Sequence, residues 1–267
     1  MTDAALHALS ATEALAGFRA RTLSPVELMQ ATIARAEQVE PTVNALCHRF
    51  FDEALVAARA SERRYARGGD EIGPLDGLPL VVKEEEPIAG QPWTQGSAVY
   101  RSLVASRSSV LAERVIASGA IVHARSTASE LSAAAFTHSR LWGVTRNPWN
   151  PEWSPGGSSG GSAAALASGT TTLATGSDTA GSIRLPAAFS GVVGFKPPYG
   201  RVPADPPFNL DCYVHYGPLA RTVADCRLLQ NVLAGPHPSD PVALDPKVEL
   251  PEVPGSVVGR RIAVSTD

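Results

Sequence analysis

Three stretches of the chain carry residue types that could break or make bonds. One is Gly156-Gly157-Ser158-Ser159-Gly160-Gly161-Ser162, the second is Gly176-Ser177-Asp178-Thr179-Ala180-Gly181-Ser182-Ile183-Arg184-Leu185-Pro186, and the third is a lysine, Lys83, at the end of the apolar run Leu80-Val81-Val82. Glycines around two serines let the backbone approach another group without a Cβ in the way. A phosphate cradle would need Gly-Lys-Ser/Thr after a strand, and no lysine follows here. Gly157 to Gly161 fits Gly-x-Ser-x-Gly around Ser159, but that motif sits between strand and helix, and Asn147 to Pro155 is too rich in proline for a central strand. A serine nucleophile activated by a lysine is the third reading, and it requires the lysine to be buried and neutral. A flexible Gly/Ser linker is the bland alternative, against which stand the alanine-rich and apolar residues that follow.

The elements that must hold these residues are legible in part. Ser162 to Ser168 is nearly all alanine with Gly169 as its stop, which predicts a short helix, and Thr170 to Thr175 predicts a short strand that turns back at Gly176 to Ser182. Leu80 to Val82 predicts a buried strand that delivers Lys83 at its end. Upstream, Ser10 three residues before Glu13 opens a helix through about Arg21, and Ser24-Pro25-Val26-Glu27 opens another to about Val39. Phe51 to Arg67 is a third, with its arginines on a solvated face. A helix over Ser108 to Ser118 leads into a strand at Ala120 to Ala124, and further units are expected at Ser129 to Ala135 and Ser190 to Phe195. Gly217 to Asp225 caps a helix running to Leu233, and Arg261 to Ser265 begins a new strand. The alternation predicts an α/β fold with a central mixed β-sheet covered by helices.

The Gly-Gly-Ser-Ser-Gly-Gly-Ser run, the alanine helix, the segment Gly176 to Ala187 and Gly194-Phe195-Lys196-Pro197 together resemble the amidase signature family of serine hydrolases, with Lys83 upstream in the family's order. The resemblance covers some forty residues in register at its centre and extends from near Ala14 almost to Asp267. It implies that Ser182 is the nucleophile, Ser158 a bridging serine on a cis peptide, and Lys83 the base. It also implies an oxyanion hole from the backbone N–H groups of Thr179, Ala180, Gly181 and Ser182. Asp178 and Arg184 are expected to hold the nucleophile loop by hydrogen bonds and an ion pair, with Ser159 donating to the same network. Two departures stand out. Ala180 occupies a usual glycine, and Glu84-Glu85-Glu86 follows Lys83 where the family has aspartate.

The activity implied is hydrolysis of a small-molecule carboxylic amide through an acyl-enzyme. The alternatives are a glutamine-hydrolysing amidotransferase component or a catalytically silent scaffold. No cofactor or metal is implied. At 267 residues, 44% hydrophobic and a net charge of −3, the chain has no electrostatic bias toward nucleic acid. No apolar span suits a membrane, no signal peptide begins it, and the cytoplasm is the default. Cys47, Cys212 and Cys226 suggest neither disulfides nor a metal cluster. His7, His48, His123, His138, His215 and His237 lack metal spacing, although His215 and Tyr213 are placed to line a pocket. Residues 1–70 read as an N-terminal helical region, 71–235 as the catalytic core, and 236–267 as a proline-rich connector entering a C-terminal half. Because family members are usually much longer, the expectation is an incomplete sheet whose exposed edge makes the isolated chain self-associate and only weakly active.

Overall fold

A computed structural model describes residues 6–69, 71–253 and 255–263. Two capped helices open it. In α1 (Ala11–Ala20) Ser10 accepts from the N–H of Glu13 while Glu13 reaches back to the Ser10 N–H, and Ser24 and Glu27 repeat the box at α2 (Pro25–Val43). The second helix runs past Val39 and through Pro41 to Val43, ending on Asn44 in the left-handed region. After β1 (Leu46–Arg49) and α3 (Phe51–Arg67) comes β2 (Pro79–Lys83), every residue of which is buried. Then follow α4 (Val110–Ala117), β3 (Ile121–Ser126), a small ribbon of β4 (His138–Ser139) and β5 (Gly143–Val144), and α5 (Gly160–Ser168). The chain continues with β6 (Leu173–Asp178), α6 (Arg184–Ser190), β7 (Val193–Gly194), β8 (His215–Ala220) and α7 (Val223–Leu233).

Six strands form one mixed sheet in the order β1-β3-β2-β6-β8-β7. The neighbours β3, β2 and β6 are parallel, and the outer pairings are antiparallel. Parallel pairing brings the carboxyl ends of β2 and β6 to the same edge, where ligands gather in open α/β sheets. Lys83 therefore ends its strand beside Ser177, and its backbone N–H donates to Thr175 Oγ1 at 3.1 Å.

Several sequence expectations need correction. Thr170 to Thr172 precede the strand, because their hydroxyls bond the carbonyls of Ala165, Pro79 and Leu173 and hold that segment as a turn. Gly176 to Asp178, expected to turn, continue β6 because β8 pairs with them. Ser129 to Ala135 forms only a short 3₁₀ turn at Glu130–Ser132, with Leu131 and Ser132 left-handed. Arg184–Ser190 is helical, so only Val193–Gly194 of the expected Ser190 to Phe195 unit is strand. Arg261 to Ala263 form no strand, and Val264 and Ser265 lie outside the described residues.

The alanine helix α5 is buried on all sides save Ala167, the position that an amphipathic surface helix would not occupy. Its small residues let it sit directly on the sheet: Ser162 Oγ donates to Thr175 O at 2.8 Å and bonds Ser126 Oγ at 2.7 Å. At Gly161 a Cβ would stand 2.5 Å from the backbone nitrogen of Thr127 and closer still to its carbonyl oxygen. Backbone cannot yield there, so Gly161→Ala should cost about 1–3 kcal/mol or more by overpacking. Thermal unfolding is expected to shift down by about 2–4 °C per kcal/mol, and an unchanged midpoint would show that α5 has room to move.

Candidate active site

Lys83 is fully buried and its Nζ is enclosed by three polar partners. Ser158 Oγ and Ser177 Oγ each lie at 2.7 Å, and Glu85 Oε2 at 2.6 Å. Ser177 in turn donates to Glu85 Oε2 at 2.8 Å, and Ser132 hydrogen-bonds the same carboxylate oxygen. Burial raises the Glu85 carboxyl, but the Lys83 ammonium and the two serine hydroxyls outweigh it and hold the group below the ordinary carboxylate value. The next residue behaves oppositely. Glu86 is pushed up to about 8 by burial first and the neighbouring Glu85 charge second.

Ser158 is buried and follows a cis peptide bond from Gly157. Gly157 is needed there because a Cβ would meet the carbonyl oxygen of Ala134 and the N–H of Phe136 at 2.7 Å. Ser182 sits at the mouth of the same site, and its carbonyl accepts from the N–H of Ser159 at 3.2 Å, which ties the two glycine loops together. Ser158 and Ser182 line one cavity of about 140 Å³ with Glu85, Gln95, Leu131, Ser132, Ser177, Thr179, Phe208, Val214 and Tyr216. No hydrogen bond joins the two serine hydroxyls among the described residues.

The loop after β6 is organised by Asp178. Its carboxylate accepts the N–H groups of Gly181 (2.7 Å), Ile183 (3.1 Å) and Arg184 (3.2 Å), and forms a two-pronged pair with the Arg184 guanidinium at 2.9 and 2.8 Å. Ser159 does not join this carboxylate but donates to the carbonyl of Ser177 at 3.3 Å. The Gly181 N–H is thus engaged by Asp178, whereas those of Thr179, Ala180 and Ser182 have no acceptor among the described residues. Gly181 takes φ 121° and Ala180 keeps an ordinary negative φ, so the methyl group in place of glycine is accommodated at an exposed position.

Val214 and Tyr216 line the cavity, in place of the expected Tyr213 and His215. Alternation along the approach to β8 turns the odd-numbered side chains away, and Tyr213 is largely exposed while His215 bonds the Tyr213 carbonyl. His123 is buried against the carbonyl of Thr170, and burial lowers it to about 4, as befits a structural histidine. Three wall residues, Gln95, Leu131 and Ser132, carry φ values of 52°, 53° and 55°, a clustering of left-handed non-glycine backbone that accompanies functional sites. Nothing in their sequence marks them, nor does it mark Ser177; of the three carboxylates that the sequence sets beside Lys83, Glu85 is the one that meets Nζ.

The family model described as Amidase matches residues 27–267. The chain belongs to the amidase family. It is 39% identical over 265 residues to a glutamyl-tRNA(Gln) amidotransferase subunit of Chloroflexus aurantiacus, covering 97% of this chain and 54% of that one. To an acylamidase of Rhodococcus erythropolis it is 38% identical, covering 99% and 56%. Among solved structures, a bacterial aryl acylamidase of the amidase signature family superposes with a TM-score of 0.85 at 33% identity, over 90% of this chain and 50% of the other. A 6-aminohexanoate cyclic dimer hydrolase gives 0.79 at 33%, over 88% and 48%. The chain thus spans about half the length of the relatives it matches. Amidase signature enzymes are hydrolases acting on carbon–nitrogen bonds. No helix among the described residues is long and apolar enough to cross a membrane.

Asp178 yields a pH prediction. Burial alone would raise its carboxyl, but Arg184 and the three N–H groups bring it down to about 2, below the ordinary 3.8. A depressed folded-state value stabilises the fold above the unfolded-state value and loses that contribution as pH falls through about 4 toward 2. With solvent screening at the half-exposed Arg184 taken into account, the shift corresponds to about 1 kcal/mol. Asp178→Asn should therefore be less stable than the parent by that order at pH 7, with the gap closing as denaturant titrations move from pH 5 toward pH 3. A gap independent of pH would mean that the Asp178 charge is not what holds the loop.

Proposed function

We propose that the chain carries the acyl-transfer site of an amide hydrolase, in which Ser182 attacks the carbonyl carbon of a carboxylic amide. With Nζ of Lys83 as the neutral amine, Ser158 passes the Ser182 proton to Lys83, which becomes the ammonium and returns the proton through Ser158 to the departing amine or ammonia; water then releases the acid from the Ser182 ester by the same relay. The N–H groups of Thr179, Ala180 and Ser182 are free to receive the oxyanion, with Gly181 holding the loop through Asp178. The observation that carries this reading is the fully buried Lys83 Nζ at 2.7 Å from Ser158 Oγ, beside a cavity that Ser158 and Ser182 share.

The relatives' names divide between acylamidase and glutamyl-tRNA(Gln) amidotransferase. The cavity walls favour the first. Leu131, Phe208, Val214 and Tyr216 supply apolar surface, and the charged side chain lining the cavity, Glu85, is acidic and already paired with Lys83. Free glutamine would bring an α-carboxylate, and among the described residues that line this wall there is no cation to receive it. A neutral aryl or aliphatic acyl group suits it better. Glutamine hydrolysis within an amidotransferase is the second reading, supported by the 39% identity to the Chloroflexus protein.

Ammonia or amine release from an anilide, an aliphatic amide and glutamine is the test. Turnover of the neutral amides above that of glutamine is expected, with Ser182→Ala abolishing it. Lys83→Ala should lower it by roughly 10²–10⁴-fold, the worth of a general base. Parent-like turnover in Ser182→Ala would overturn the assignment, and a preference for glutamine would favour the amidotransferase reading. Glu85→Gln bears on the base directly: it removes the ion pair at 2.6 Å that fixes Nζ beside Ser158, so turnover of the same amide should fall in a variant that still folds. Unchanged turnover would show that Glu85 does not position the base.

A further inference from the structure

We propose that Cys47, His48 and Glu84 form a binding site for a zinc-class divalent cation, one residue along the chain from Lys83. Their Sγ, imidazole nitrogen and carboxylate oxygen lie within 4.8 Å of one another. Ligand atoms in a tetrahedral zinc site stand roughly 3.3–3.8 Å apart, as bonds of about 2.0–2.3 Å require, so small side-chain rotations close the set. A thiolate, an imidazole and a carboxylate are the donor types such an ion takes, with a fourth position left for water.

The backbone is arranged to bring these groups together. Cys47 and His48 are consecutive in β1, and successive side chains of a regular strand point to opposite faces. Here the pairing jumps from Leu46 opposite Ser126 to His48 opposite Arg125, so Cys47 is the extra residue of a β-bulge. Bulges re-aim side chains, and this one turns Cys47 and His48 toward the same carboxylate. No metal spacing is legible in the sequence because adjacent residues of an unbroken strand would diverge.

The polar accounting also points to a cation. His48 Nε2 is buried without a hydrogen-bond partner and faces Glu84 Oε1 at 3.8 Å. Glu84 is fully buried and forms no direct ion pair with a lysine or arginine among the described residues, the buried Arg125 guanidinium acting on it only from beyond salt-bridge distance. Its carboxylate is fixed by the N–H of Gly96 at 3.2 Å, by Trp142 Nε1 at 2.9 Å and by the Thr94 hydroxyl. The Trp142 ring meets the His48 ring edge-on at 4.9 Å, holding the imidazole in place. Two ligands are thus oriented by neighbours of their own, the outer-shell support that metal sites share. The Cys47 thiol donates to the carbonyl of Arg125 at 3.3 Å; binding breaks that hydrogen bond and the S–H bond, forms a sulfur–metal bond, and releases the proton to solvent.

The test uses the whole chain with Cys212→Ser, which removes the exposed thiol as a competing ligand. Cobalt(II) titration should develop a thiolate-to-metal charge-transfer band saturating at one equivalent, and zinc should abolish the band by displacement. Cys47→Ala should remove the band, and His48→Ala should weaken zinc binding by about 10–100-fold or more. Circular dichroism of both variants establishes that they fold, and the band in the parent stands as a measurement independent of them. Absence of a band in the parent, a band surviving Cys47→Ala, or unchanged zinc affinity in folded His48→Ala would each overturn the site.

Discussion

An amine with nowhere to go but a protein interior is the constraint around which this molecule is built. A buried lysine is costly unless every polar contact is supplied, and Nζ of Lys83 meets that demand through Ser158, Ser177 and Glu85. Each of those partners comes from a different piece of chain. Ser158 belongs to the glycine loop before α5, Ser177 to β6, and Glu85 to the turn after β2. The parallel pairing of β2 with β6 fixes two of the three, and the fit of α5 onto the sheet fixes the third. Glycine at positions 157, 160 and 161 follows from that fit, because a Cβ at any of them would collide with the chain around Thr127 to Phe136 or Thr137.

Electrostatics then sort three successive glutamates into separate tasks. Glu84 is held by Gly96, Trp142 and Thr94, Glu85 stays ionised against Lys83, and Glu86 is driven toward its neutral form. A run that reads in sequence as one block of negative charge beside a base therefore places a single carboxylate against it. On the opposite lip of the site Asp178 acts as a staple, its two oxygens engaging three N–H groups and one guanidinium so that the loop carrying Ser182 keeps its shape.

Local signals make much of this visible in the sequence. The Ser10 and Ser24 caps, the span Phe51–Arg67 and the lysine at the end of a buried strand depend on neighbours in sequence, and all stand where periodicity and capping chemistry put them. What sequence could not supply depends on partners far along the chain. Gly176-Ser177-Asp178 are poor strand formers that become strand only because β8 lies beside them, and β8 itself hides behind Gly217-Pro218. Gly217 is required by the carbonyl of Phe195, which leaves no room for a Cβ. The left-handed Gln95, Leu131 and Ser132, and the bulge at Cys47, likewise answer to tertiary packing.

The central claim is that Ser182 is the residue made nucleophilic by the buried lysine and Ser158. Treatment of the chain with a fluorophosphonate, followed by peptide mapping in a mass spectrometer, reads it directly. The account predicts one phosphonyl adduct, on Ser182, whose rate of formation falls by about 10² or more when Lys83 is replaced by alanine. An adduct on Ser158 or Ser159 instead, or labelling of Ser182 that is indifferent to Lys83, would contradict it.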